Sequence, residues 1–133
     1  MATTEDREAA ERDLFLGIRA MACNDFRWIP GMSNRGSEMV MDVSPSGWPR
    51  FAGDDDYTEP GKAGTLDVRV LLNVQALLLL VREAWKMPTG IVVFYEQDLA
   101  IWKVSWSGST HGGDCGSGKT EAEALICALE NAP

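Results

Sequence analysis

A chain of 133 residues is the size of one ordinary domain and can bury a core without disulfide or metal staples. Its 45% apolar and 24% charged residues exclude a disordered chain, and its most apolar run, residues 76–81, falls far short of the about 20 residues that cross a bilayer. A formal net charge of −8 repels phosphate backbones and argues against direct nucleic-acid binding.

The opening MATTEDREAAERD is acidic and helix-prone, the reverse of a signal or transit peptide, and predicts a cytoplasmic protein. Residues 4–22 form the first predicted helix. Leu14, Ile18 and Met21 recur at helical spacing with Phe15 and Ala22 beside them, so this face is expected to pack inward. Thr3 or Thr4 caps the helix, acidic first turns suit its dipole, and Asn24-Asp25 ends it. Cys23, Cys115 and Cys127 are odd in number and lack C-x-x-C spacing, which fits a reducing compartment.

Residues 26–29, aromatic and β-branched, read as a short strand, followed by turns at Pro30-Gly31 and at residues 33–36. Residues 38–43 alternate, with Met39, Met41 and Val43 on one face and Glu38, Val40 and Asp42 on the other. The two runs are expected to pair as a hairpin. Residues 44–65, rich in Pro, Gly and Asp, read as one long irregular connection, which is usually functional or mobile.

Asp67 is placed as the cap of a helix reaching Lys86. Its apolar residues Val70, Leu71, Val74, Leu77, Leu78, Val81 and Trp85 cover more than one stripe, so burial on most sides is expected, against the sheet and another helix or subunit. Residues 91–95 and 101–106 carry the strongest strand signals and form an antiparallel hairpin around Glu96-Gln97-Asp98. A Gly-rich stretch, 108–118, precedes a closing helix over about 121–132, with Thr120 and Glu123 as its capping box. The order α-β-β-α-β-β-α predicts a single domain over 1–133 of α+β class, a small antiparallel sheet packed between helices.

Residues 113–120, GDCGSGKT, satisfy the P-loop pattern G-x-x-x-x-G-K-T between a strand and a helix. The rest of a nucleotide hydrolase does not follow. Residues 108–112 separate the glycines from their strand, that strand is expected to be antiparallel, and 13 residues after Thr120 leave no room for a magnesium-binding aspartate on a later strand. A capped Gly-Ser loop is the simpler reading; a residual anion cradle around Lys119 is opposed by Glu121 and Glu123. His111 with Asp114 and Cys115 falls short of a metal site or an oriented nucleophile. Asp54, Asp55 and Asp56 lack the ligand spacing of a calcium loop. No catalytic residues, metal site or cofactor are therefore assigned, and the chain is not expected to be an enzyme.

The segment from Arg27 to Met32, RWIPGM, resembles an R-W-x-P-G-M segment of small proteins encoded by phages and prophages. LLLVREAW at 78–85 is similar to their L-x-L-V-R-E-A-W helix, and the closing TEAEAL…ALENAP to their C-terminal helix. The family resembled is the phage ABA-sandwich type, a sheet held between helices. The resemblance implies a phage or prophage origin and carries no assigned activity.

With that setting, the expectation is a non-enzymatic accessory protein that binds and blocks a host component, an inhibitor of an antiviral system. Among five tryptophans, Trp85 and Trp102 are assigned to the core, whereas Trp28 and Trp48 adjoin Pro-Gly turns. The expected protein contact comprises Arg27, Trp28, Met32 and Trp48 with the acidic Asp54, Asp55 and Asp56 alongside. The alternative is a sponge for a small nucleotide immune signal, with Arg27, His111 and Lys119 on the phosphates and Trp28 stacked on the base. The over-apolar middle helix suits association with a second copy.

Overall fold

The computed structural model describes residues 3–106 and 113–133. In chain order it contains α1 (Thr4–Ala22), β1 (Val40–Val43), β2 (Pro49–Phe51), a single 3-10 turn (Pro60–Lys62), α2 (Leu71–Ala84), β3 (Ile91–Glu96), β4 (Ile101–Trp106), β5 (Gly113–Gly118) and α3 (Glu121–Glu130). The class is α+β, with a two-stranded and a three-stranded sheet, both antiparallel. The expected order holds with one strand more, β5. No helix among the described residues is long and apolar enough to cross a membrane. Contacts divide the chain into two compact units, Met1–Ala22 with Phe26–Asn73 and Cys23–Asp25 with Val74–Pro133.

In the first unit, Thr3 starts α1 with a reciprocal cap. Its hydroxyl accepts from the Asp6 N–H at 3.1 Å, and the Asp6 carboxylate accepts from the Thr3 N–H at 3.2 Å. The inward face of α1 differs from the expected one. Leu16, Gly17 and Ala20 are buried, while Leu14, Phe15 and Ile18 are exposed. The reason is a close approach: a Cβ on Gly17 would overlap the Leu66 carbonyl oxygen, so the helix lies on backbone through its small residues.

Residues 26–29 are irregular rather than a strand. Trp28 turns inward between Phe26 and Phe51, edge-on to both at centroid distances of 5.6 and 6.0 Å. The hairpin forms instead between β1 and β2, pairing Val40 with Phe51 and Val43 with Pro49. It breaks up the long connection expected over 44–65. Val40 is the buried face of β1, and Met39 and Met41 on either side are exposed.

Two buried asparagines clamp this unit. The Asn34 carbonyl oxygen accepts from Gly36 N–H and Glu38 N–H at 3.0 Å each, and its amide donates to Glu38 Oε1 at 3.1 Å and the Ala63 carbonyl at 2.7 Å. Asn73 accepts from the Ser33 N–H at 2.9 Å and donates to the Ser33 and Asp67 carbonyls, both at 2.8 Å. Each side chain replaces backbone partners that irregular chain cannot supply. Asp67 does not cap α2; it folds an Asx turn, accepting from the Arg69 N–H at 3.1 Å.

In the second unit β3, β4 and β5 lie side by side in that order, and α3 packs on them. Thr120 caps α3 as the sequence spacing predicts, accepting from the Glu123 N–H at 3.1 Å. Ala122, Ala124, Leu125, Ile126, Ala128 and Leu129 form its buried face. Trp85 donates its indole N–H to the Ala128 carbonyl at 2.8 Å, tying the chain just after α2 to α3. Leu77, Leu80 and Val81 of α2 are buried, while Leu71, Leu72 and Leu79 are exposed, so the helix is less enclosed than its composition suggests.

Candidate functional site

The P-loop pattern falls on a strand. Residues 113–118 are β5, paired antiparallel with β4 through Trp102 to Gly118, Lys103 to Ser117 and Val104 to Gly116, with a bulge before Ser105 meets Asp114. Its glycines serve packing. A Cβ on Gly116 would overlap the Ala128 backbone nitrogen of α3 and stand 2.8 Å from the Ala124 carbonyl. A Cβ on Gly118 would come within 2.6 Å of the Glu123 side chain. On Gly113 it would strike the Trp106 indole, which lies across the glycine from the neighbouring strand. Backbone committed to a β-ladder does not wrap a phosphate.

Lys119 is exposed just before the cap, and its N–H reaches Glu123 Oε1 at 3.4 Å, so a carboxylate already stands at the start of α3. His111 lies outside the described residues. Asp114 is hydrogen-bonded to the Ser105 hydroxyl at 3.0 Å, and Cys115 is buried, with burial pushing its thiol pKa up. Among the described residues no three His, Cys, Asp or Glu side chains gather where a metal ion could sit.

Of the expected protein contact, the structure moves two members inside. Trp28 is 1% exposed and Met32 is 0% exposed, because the RWIPGM segment folds its large apolar side chains into the core. Neither is presented to a partner. Arg27, Trp48, Asp54, Asp55 and Asp56 are exposed.

The outward surface of the β1–β2 hairpin is richer than the sequence indicates. Met39, Met41, Trp48 and Tyr57 are each 42–47% exposed, an unusual set of large side chains from so short a stretch. Trp48 is positioned by the turn between the strands, where its N–H donates to the Ser44 hydroxyl at 3.1 Å and its carbonyl accepts from the Ser44 N–H at 2.9 Å. Arg50 binds Asp42 across the strands through Nε at 3.0 Å and Nη2 at 2.5 Å, and donates from Nη1 to the Asp54 carbonyl at 3.1 Å. It thus joins the hairpin to the acidic run. The guanidinium, and after it the Tyr57 hydroxyl, hold the Asp42 carboxyl below the usual carboxylate range. Met39 and Met41 were legible as an exposed pair only if Val40 was known to face inward.

The same unit contains a cleft of about 400 Å³ lined by Met21, residues 26–28, residues 46–47 and residues 60–61. Trp28 lines it, and the buried Trp28 Nε1 has no hydrogen-bond partner among the described residues. Comparison with protein-family models, with curated proteins and with solved structures finds no match to this chain.

Proposed function

We propose that this chain is a non-enzymatic binding protein that docks on a host protein through the β1–β2 hairpin and blocks the surface it covers. The observation that carries the reading is the exposed set Met39, Met41, Trp48 and Tyr57, on a hairpin that Arg50 joins to the backbone of the acidic run at Asp54. Trp, Tyr, Met and Arg are the residues in which interface binding energy concentrates, and holding them on a short paired hairpin lowers the entropy lost on docking. The neighbouring carboxylates select a partner with an apolar pocket rimmed by Lys and Arg, and they accelerate encounter with it. The net charge of −8 disfavours nucleic acid or an anionic membrane as that partner. The phage resemblance of the RWIPGM, LLLVREAW and TEAEAL segments supplies the setting, an infected cytoplasm, and makes a component of antiviral defence the first host protein to test.

The test is affinity capture from host lysate by the wild type and by Trp48→Ala/Tyr57→Ala. A stoichiometric partner is expected on the wild type, released by salt, and reduced at least tenfold on the double variant, whose circular dichroism stays unchanged. Absence of a stoichiometric partner, or one retained equally by both proteins, overturns the reading.

A further inference from the structure

β3 is an edge strand without the devices that keep edges apart. Among the described residues β4 pairs with it on one side and no strand pairs with it on the other. Its run Ile91-Val92-Val93-Phe94-Tyr95 contains no charge, proline or glycine, and its register with β4 has no bulge. β5, the opposite edge of the sheet, has both a bulge and the charge of Asp114. Val92, Phe94 and Tyr95 are 41–47% exposed although Phe94 and Tyr95 point to opposite faces, so β3 is open along its edge and not on one face alone. Tyr95 is held against Trp102 at a centroid distance of 5.5 Å.

We propose that a second copy of this chain pairs with this edge, β3 against β3 and antiparallel, about a two-fold axis at Val93. The proposal goes beyond the docking reading and uses other residues. In that register the strand is complementary to itself. Val92 stands opposite Phe94 of the second copy and Ile91 opposite its Tyr95, and both pairs, each made twice, join a β-branched to an aromatic side chain. Moving the axis to Phe94 would set Val92 against Glu96 instead. The charges agree with the first arrangement. Arg82 Nη2 reaches the Ile91 carbonyl at 3.4 Å, and Arg82 and Lys86 line a cleft of about 320 Å³ with Leu79, Glu83 and Pro88 at this end of the strand. Glu96, paired with Lys103 at 2.9 Å, and Asp98 stand at the other end. The start of β3 is thus net positive even with Glu83 counted, and its end net negative even with Lys103 counted. An antiparallel pair sets each end beside its opposite, twice. Pairing uses up both β3 edges, so association stops at two copies, and the net charge of −8 on each keeps the pairs apart.

The experiment is analytical ultracentrifugation of the full chain from about 1 µM to about 500 µM. The mass is expected to rise from 14.6 kDa towards twice that value with a Kd of roughly 10–100 µM, as a short interface gives. Phe94→Lys, on an exposed side chain, is expected to weaken the pair at least tenfold with circular dichroism unchanged. Val93→Cys places two thiols on the axis with Cα atoms about 4.5–5.5 Å apart, within disulfide reach. Mild oxidation is expected to cross-link the copies through that position, read by peptide mass spectrometry, and not through Ser117→Cys on β5. This second variant keeps the proposal testable should Phe94→Lys unfold the protein. A mass of one copy at every concentration overturns the proposal. So does a dimer that Phe94→Lys leaves intact, including one lost instead in Phe15→Gln/Ile18→Gln, and so does a Val93→Cys chain that cross-links no faster than Ser117→Cys. Trp48→Ala/Tyr57→Ala is expected to leave the dimer unchanged, so failure here and failure of the docking reading are read separately.

Discussion

Asn73 serves three backbone groups at once, the Ser33 N–H and the carbonyls of Ser33 and Asp67. Asn73→Leu keeps roughly the volume but takes the side-chain acceptor from the Ser33 N–H and a second donor from the two carbonyls, which keep the Asp67 and Val70 N–H groups, a loss of about 2 kcal/mol that a urea titration reads as a lower midpoint at unchanged slope. The sequence does signal this position, a lone amide inside Leu71-Leu72-Asn73-Val74, although not its partners, which lie 40 residues away at Ser33. Asp67, held below its ordinary pKa of 3.8 first by hydrogen bonds from the Arg69 side chain, gives a pH test. A depressed folded pKa means stability fully present above the ordinary value and lost as pH falls through the folded one. The stability advantage of wild type over Asp67→Asn should therefore hold steady near neutrality and shrink below about pH 4, by urea melts at each pH. A difference constant down to pH 2.5 would remove Asp67 from the account. Cys115 is buried and its thiol pushed up by burial, so iodoacetamide under native conditions should label the half-buried Cys23 and Cys127 first, as peptide mass spectrometry would show.

β5 shows how an element arises without propensity for it. GDCGSG contains no β-branched or aromatic residue, and glycine is depleted from strands. The strand exists because β4 offers a ladder and α3 needs a floor flat enough to lie on. Gly116→Val should therefore lift α3 and cost about 2–3 kcal/mol in a thermal or urea melt, whereas Ser117→Val, on an exposed neighbour in the same strand, should stay within about 0.5 kcal/mol. Equal losses would mean that helix packing does not set the glycine. The elements that were legible carry their own signal: the β3–β4 hairpin its β-branched and aromatic runs, α3 its Thr120 cap, α1 its Ala, Glu and Arg content. What failed depends on partners distant in sequence. The inward face of α1 is small because Gly17 meets the Leu66 backbone, and residues 26–29 stay irregular because Trp28 is taken up between Phe26 and Phe51. The candidate sites suffered likewise, since Trp28 and Met32 look like surface anchors until Phe51 and the core claim them, while the hairpin face needs the inward turn of Val40.

Across the whole chain, charge and apolar exposure oppose each other. A net −8 keeps molecules apart at neutral pH, yet Leu14, Phe15 and Ile18 stand 37–59% exposed on one helix. Single exposed apolar residues are ordinary; three within one turn and a half form a stripe that only repulsion keeps solvated. The isoelectric point lies near 4.5, so repulsion vanishes there while the stripe remains. Light scattering should thus pass through a maximum near pH 4.5 and fall on either side. Phe15→Gln/Ile18→Gln removes the apolar surface without altering any charge, and should lower that maximum several-fold while changing stability at pH 7 by no more than about 0.5 kcal/mol. The two measurements separate the alternatives. Unchanged scattering would place the sticky surface elsewhere, on Leu71, Leu72 and Leu79 of α2 or Val92 and Phe94 of β3. A stability loss of about 2 kcal/mol or more would mean that α1 uses this face in the fold itself, as its helical spacing first suggests.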